Sequence, residues 1–424
     1  MTQFKSSSSK LRSQRAEYIS SATHMSGGNL SGTHENLSAA IALPPESMAE
    51  LHARGSYRSI LLLLLGLLSL STLVICGFFT RYLLNPAPLP GILPEAIQPN
   101  YPPHYVFSIY GVDKPFGVAV SPNGDRIYVS EEGGERLVKI FDQNGDQVGA
   151  FAPPGTSPST RKPSYPAIDD NGNVYVPDLM QYAVTIFDQD GKYLDSMIDP
   201  ELMLSEYVSL HLGELLPGSQ ITYTVQQADV LVKLPGQEAK PIPGPGVTDW
   251  LPLGARITGN QNLLVTNISS SYQSVYDITP DTDALVLLLG ETGTGNGQFS
   301  YPQVAVSSSD NRIFVIDGNN SRISVWDAQG NFLFNFGQGT GEAALNLPRG
   351  AAVDDRDQLH VVDAVGQIVK VFDISTPEVK LLYSFGELGN SDGEFYYPND
   401  IAIDQFGRLY IADRENNRVQ VWSY

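Results

Sequence analysis

Hydrophobic positions fall along the chain in two regimes. From Ile60 to Phe79 nearly every residue is apolar, beginning Ile60-Leu61-Leu62-Leu63-Leu64-Leu65, whereas beyond residue 105 short apolar stretches alternate with turn residues. A helix of about 20 residues rising about 1.5 Å per residue covers about 30 Å, the thickness of a bilayer's hydrocarbon core. The first regime therefore predicts one transmembrane helix over 59–82, in which Ser69, Ser71 and Thr72 can bond the helix's own carbonyls. A cleaved signal peptide would have an apolar stretch of only about 7–15 residues and a shorter lead. The second regime, with its short strands and closely spaced turns, predicts an all-β domain over 105–424.

That domain repeats. A strand places an aromatic or apolar residue three positions before a polar one at Tyr128…Glu131, Tyr175…Asp178, Tyr223…Gln226, Leu264…Asn267, Phe314…Asp317, His360…Asp363 and Tyr410…Asp413. The following strand ends Phe141-Asp142, Phe187-Asp188, Tyr276-Asp277, Trp326-Asp327, Phe372-Asp373 and Trp422-Ser423, with Val230 to Leu234 standing in for the third unit. A period in the forties with four short strands per unit is the signature of propeller blades. The last unit stops at Tyr424 after its third strand. Tyr105 to Gly111 (YVFSIYG) matches the outer strands at Phe332–Gly337 and Leu381–Gly386, so it is expected to complete that last blade and close the ring. Seven units predict a seven-bladed β-propeller. The degenerate third unit keeps a six-bladed ring as the alternative.

The units at 290–326, 337–372 and 386–422 resemble the NHL family. Their marks are a Gly-rich lead, a proline before the first strand, an Asp closing the second and an Asn/Arg turn. Here these are Pro302, Asp317, Asn320 and Arg322, and again Pro398, Asp413, Asn417 and Arg418. The resemblance covers roughly residues 105–424 and implies an NHL-type β-propeller. It implies function more loosely, because such propellers serve as binding platforms, exported sensor domains of bacterial receptor kinases and a few metal-dependent lyases. A tail of 58 residues is too short to be a kinase.

Residues 1–58 are rich in Ser, Gly, Asn and Thr without apolar periodicity, the composition of a disordered tail. Arg54 and Arg58 precede the apolar run and only Arg81 closely follows it, which orients the chain with a cytoplasmic N-terminus and an extracytoplasmic propeller. The segment 83–104 is proline-rich and reads as a semi-rigid linker. From Tyr101 onward 19 Lys and Arg stand against 41 Asp and Glu. Such a domain repels phosphate backbones, which argues against nucleic acid as a partner. The single cysteine, Cys76, lies in the apolar run, so the propeller has no disulfide and no cysteine-based metal site.

No catalytic constellation, metal site or cofactor is expected. The propeller and its linker hold only His104, His211 and His360. His104 lies in the linker, His211 in the degenerate unit, and His360 fills the slot taken by Tyr128, Tyr175, Phe314 and Tyr410, a packing position. Segments such as Asp142-Gln143-Asn144-Gly145 put glycine fourth, as a hairpin turn does, and not sixth as an EF-hand needs. The lead-ins to the innermost strands mark one face of the ring, and there Phe116, Gln303, Arg349, Asn399 and Asp400 are the candidate ligand-binding residues. Arg349 is a cation in an acidic ring, placed either to pair with a neighbouring blade's acid or to meet a ligand. These readings favour a membrane-tethered recognition platform for protein, peptide or glycan, with a metal-dependent propeller lyase or lactonase as the alternative.

Overall fold

The computed structural model describes residues 62, 64–74, 76–77, 101–198, 208–209, 212, 218–224, 229–238, 240–243, 250–280, 282 and 284–424. Two compact units divide at Pro86. In the first, the described residues are helical, and their leucines are exposed. The Ser69 and Ser71 hydroxyls donate to the Gly66 and Leu68 carbonyls, and Thr72 donates to Leu68 as well. Among the described residues no helix is long and apolar enough to cross a membrane. The rest of the expected span 59–82, the tail 1–58 and the linker up to residue 100 lie outside the described residues.

The second unit is a propeller of six four-stranded blades. Blade 1 is Pro115–Val120, Arg126–Glu131, Val138–Asp142 and Gln147–Phe151; blade 2 is Ala167–Ile168, Val174–Asp178, Ala183–Phe187 and Tyr193–Met197. Blade 3 is Pro252–Ile257, Leu263–Ile268, Gln273–Thr279 and Ala284–Leu289; blade 4 is Pro302–Ser307, Ile313–Asp317, Arg322–Trp326 and Phe332–Phe336. Blade 5 is Pro348–Val353, Gln358–Asp363, Ile368–Asp373 and Lys380–Phe385. Blade 6 joins both ends of the domain: Pro398–Ile403, Leu409–Asp413 and Arg418–Ser423 carry His104–Ile109 as their outer strand, with Ile109 opposite Val419 and His104 opposite Ser423. The expected closure is therefore present. His104, assigned above to the linker, is its first residue.

Seven blades is corrected to six. The third unit forms a three-stranded sheet, Gln220–Thr224, Asp229–Lys233 and Lys240–Pro243, that does not enter the ring. Instead the innermost strands of blades 2 and 3 bond to each other directly: the Leu253 carbonyl accepts from the Tyr165 amide, and the Tyr165 carbonyl accepts from the Ala255 amide at 3.0 Å. No gap remains for another blade. The innermost strands of other neighbouring blades also approach closely at the axis. A Cβ on Gly254 would meet the Gln303 carbonyl at 2.3 Å, and one on Gly350 would meet the Asp400 side chain at 2.1 Å.

Each blade presents one apolar face to the next, so the core consists of layers between blades. Tyr128, Ile140, Val176 and Phe187 fill the layer between blades 1 and 2, and Leu264, Phe299, Val315 and Trp326 the layer between blades 3 and 4. Aromatic strand ends anchor these layers: Trp422 packs on Phe385, Phe395 and Tyr105, which ties the N-terminal strand to the C-terminal one. The acids that follow such aromatics fold the hairpins. The Asp142 carboxylate accepts from the Asn144 and Asp146 amides around Gly145, whose φ is +86°, as the turn reading requires.

Ile109 is buried, and its strand covers an otherwise open edge. Truncating it, Ile109→Ala, is expected to cost about 2–5 kcal/mol, and deleting 104–109 to cost more and to promote aggregation. Thermal unfolding of the full chain measures both. A shift below about 1 °C for the deletion, too small for a lost strand, would contradict the closure.

Candidate functional site

The face of the ring where the chain enters the innermost strands is built by one repeated device. The acid or amide ending each second strand accepts the backbone N–H of a residue one or two places before the lead-in of its own blade. Glu131 accepts from Asp113 at 2.7 Å, Asp178 from Lys162 at 2.8 Å, and Asn267 from Leu251 at 2.7 Å. Asp317 accepts from Ser300 at 2.7 Å, Asp363 from Leu347 at 3.0 Å, and Asp413 from Tyr396 at 2.8 Å. In blades 4 and 6 an arginine five residues on completes the clamp. Arg322 pairs with buried Asp317, and Arg418 with buried Asp413, each at 2.8 Å, while their outer nitrogens bond carbonyls of the Gly-rich lead. Asn320 and Asn416 bridge the same acid to that lead. The asparagine equivalent to Asn320 is thus Asn416, not Asn417. Asp178 has no such arginine, and burial pushes its carboxyl up to about 6 against the pull of three backbone amides.

These clamps hold strained residues at the mouth. Lys114, Tyr301 and Tyr397, each directly before a lead-in proline, have φ of 49°, 59° and 57°. Non-glycine residues adopt this region at a cost and concentrate where function needs a fixed direction. Each is held by an amide side chain of the preceding blade: the Tyr301 N–H by Gln273, the Tyr397 N–H by Gln367, and the Lys114 N–H by Asn417. Between them lies a cavity of about 490 Å³, lined by Phe116, Leu179, Tyr301, Tyr396, Tyr397, Arg349 and Asn399, with Glu132, Lys162, Arg414 and Glu415 at its rim. Burial alone would raise the Glu132 carboxyl, but Lys162 and Arg414 hold it at about 2.

The structure places the five candidate residues near the starts of innermost strands but gives them different surroundings. Gln303, Asn399 and Asp400 are buried rather than open at the mouth. They plug the channel around Tyr165, whose hydroxyl donates to Gln303 at 2.9 Å and accepts from Asn399 at 3.1 Å. Asn399 also donates to the Phe116 carbonyl, and the Phe116 ring lies 4.9 Å from that of Tyr165. Asp400 sits deeper. It pairs with Arg256 and accepts from the Val118 amide, yet burial still raises its carboxyl to about 6. Phe116, Asn399 and Arg349 line the cavity. Arg349 donates to Gln303 at 3.2 Å, its Nε has no partner, and among the described residues no carboxylate pairs with it. Tyrosines 165, 301 and 397 escaped the sequence reading. A Tyr-Pro pair, at 165–166, 301–302 and 397–398, was the available signal for all three.

Of the histidines, His104 is exposed, His211 lies outside the described residues, and His360 is buried between blades 5 and 6. Among the described residues no three His, Cys, Asp or Glu side chains converge on a metal position. His360 does occupy the expected aromatic slot, opposite Ala352 as Tyr128 is opposite Ala119. It also has polar partners. Nδ1 faces the Gln358 carbonyl, which can only accept, so Nδ1 carries the proton. Nε2 then accepts from the Tyr424 hydroxyl at 2.6 Å, which in turn meets Tyr383.

The chain matches the NHL repeat family model over residues 395–422. It is 28% identical over 136 residues to Protein brain tumor of Drosophila melanogaster, covering 31% of this chain and 12% of that protein. It is 25% identical over 323 residues to the probable peptidyl-alpha-hydroxyglycine alpha-amidating lyase pgal-1 of Caenorhabditis elegans, covering 72% of this chain and 80% of that one. A streptogramin B lyase structure aligns with a TM-score of 0.47 at 12% identity, over 77% of this chain and 99% of the other.

Burial lowers the His360 pKa to about 4 from 6.5. The unfolded chain therefore binds a proton below pH 6.5 that the folded chain refuses until pH 4. This group's contribution is present above pH 6.5 and is lost as pH falls to 4, by about 3 kcal/mol. Asp178 and Asp400 act in the opposite sense over a similar range, so the difference between proteins is the measurement. Comparing denaturant unfolding of wild type and His360→Phe at pH 7 and pH 4.5, the variant is expected to gain relative stability at the lower pH. A constant difference between the two proteins would refute a neutral buried His360.

Proposed function

The chain is an NHL-repeat β-propeller, and we propose that it works as a tethered recognition platform, taking its ligand at the mouth built by Tyr301, Tyr397, Phe116 and Arg349. The supporting observation is the pair of strained tyrosines. Their conformation costs stability in two separate blades, each held by a dedicated amide from the neighbouring blade, and both line the same cavity. Backbone strain repeated around one concavity is the arrangement of a preorganised binding surface. Tethering is supported by the apolar run from Ile60 to Phe79 and by the preceding Arg54 and Arg58, which favour an N-terminus in the cytoplasm and a propeller outside it. The ligand classes that suit such a surface are protein, peptide and glycan.

A lyase is the second reading, favoured by the relative of that name that aligns over most of this chain. The described residues supply no converging set of metal ligands at the mouth. Metal analysis of the purified full-length protein separates the two readings: a stoichiometric bound metal would favour the enzyme.

Glycine accepts positive φ without strain, so Tyr301→Gly and Tyr397→Gly remove the rings while keeping the backbone. Both are expected to reduce capture of ligand from the growth medium at least about tenfold, as loss of a buried aromatic anchor does, with melting temperature unchanged or raised. Leu333→Ala, on the exposed outer strand of blade 4, is the control. Equal capture by all three would remove the mouth from the mechanism.

Topology is checked separately. Protease added to intact cells is expected to remove residues 105–424 and spare the N-terminal tail. A propeller protected in intact cells would overturn the orientation.

A further inference from the structure

The mouth has an unusual charge balance, and it identifies the chemistry of the ligand. Within this acidic domain buried Arg161 spends its donors on carbonyls and Thr156, and several other arginines meet acids: Arg256 pairs with Asp400, Arg322 with Asp317, Arg414 with Glu132 and Arg418 with Asp413. Arg349 does not. Its side chain donates to the Gln303 amide oxygen and meets the hydroxyl of Tyr397, and its Nε is buried with no partner among the described residues. A half-buried guanidinium that lines an open cavity without a counter-charge can take one from outside, in the forked geometry that suits a carboxylate.

The rim defines how much charge is missing. Lys162, Arg349 and Arg414 face Glu132 and Glu415 across the cavity. Glu132 is consumed by Lys162 and Arg414, and Glu415 lies against Arg414 and Lys114. Of the lining cations, Arg349 alone is uncompensated, which suits a single negative charge. A phosphate dianion would bring a second charge close to both glutamates in a domain with a large acidic excess. Beneath Arg349 the channel is closed by Tyr165, Gln303 and Asn399, all buried, so a ligand enters end-on and stops there. Around Arg349 the walls are Phe116, Leu179, Tyr301 and Tyr397.

We propose, resting on the recognition reading above, that the mouth takes an unesterified carboxylate carried on an aromatic or apolar group, Arg349 meeting the carboxylate and the surrounding rings the apolar part. Such a group occurs on a small organic acid and at the end of a peptide chain. The two sources present the same chemistry to the pocket.

The test uses the full-length protein in nanodiscs and four probes measured by titration calorimetry: phenylacetate and phenylacetamide, N-acetylphenylalanine and N-acetylphenylalaninamide. Each acid is expected to bind about tenfold or more tightly than its amide, the usual scale for a charge-assisted bond. A preference shown only by the phenylalanine pair would assign the site to chain ends, and one shown only by phenylacetate to small acids. Arg349→Ala is expected to abolish the preference, and Arg349→Lys to keep part of it. Melting temperature should stay level or rise in the alanine variant, because an unpaired cation has been removed. Acid and amide binding equally, neither acid binding, or an acid preference that survives Arg349→Ala would each overturn the proposal. Should the tyrosine variants lose captured ligand while both acids fail, the recognition reading stands and the carboxylate falls. Should the acids bind through Arg349 while nothing macromolecular is captured, the carboxylate stands and the platform falls.

Discussion

Every feature of the mouth depends on the bond between a strand-end side chain and the backbone amide that precedes the same blade's innermost strand. It is made in all six blades, by Glu131, Asp178, Asn267, Asp317, Asp363 and Asp413. The lead-in loops have at most a two-residue ladder of their own, in blades 4 and 6, and an ionised carboxylate is a strong acceptor for their amides. By fixing where each loop arrives, the bond sets the direction in which the next residue points. Tyr301 and Tyr397 are then forced into positive φ because their neighbours on both sides are already held. Local strain at the site is thus the consequence of a clamp used throughout the ring.

The same clamp explains the different fates of chemically similar residues. Where an arginine follows five residues on, as at Arg322 and Arg418, the acid is neutralised and the Gly-rich lead is drawn in. Where it does not, as at Asp178, one carboxylate oxygen is left without a partner, while burial raises the carboxyl there as it also does at Asp317. Arg349 is the reverse case, a cation set on an innermost strand without an acid opposite. It stands beside a channel plugged by neutral groups, Tyr165, Gln303 and Asn399, which accommodate it without discharging it. At the opposite end of the channel a smaller cavity of about 200 Å³ is lined largely by aliphatic side chains such as Val120, Ile257, Val353 and Ile403.

Much of this was legible in the residues themselves. Strand period and turn chemistry are local, so the propeller class, the hairpin role of Asp142-Gln143-Asn144-Gly145 and the aromatic slot of His360 could be read directly. The closure by His104–Ile109 was legible too, because a blade lacking its outer strand and a strand lacking a sheet occur at opposite ends of one domain. The prolines that precede Phe116, Gln303, Arg349 and Asn399 likewise marked where the innermost strands begin.

What the tertiary structure decided is whatever depends on distance across the ring. A repeat unit does not reveal whether it reaches the axis, so the unit around Tyr223 counted as a blade until blades 2 and 3 proved to bond directly. Nor does a slot reveal its depth: Gln303, Asn399 and Asp400 stand near the starts of innermost strands as Arg349 does, yet are buried, because Tyr165, from a blade whose lead-in departs from the pattern, crosses the channel to meet them. Periodicity records the environment each residue shares with its own strand. The charge left on Arg349 depends on which side chains arrive from other blades, and those meet only when the ring closes.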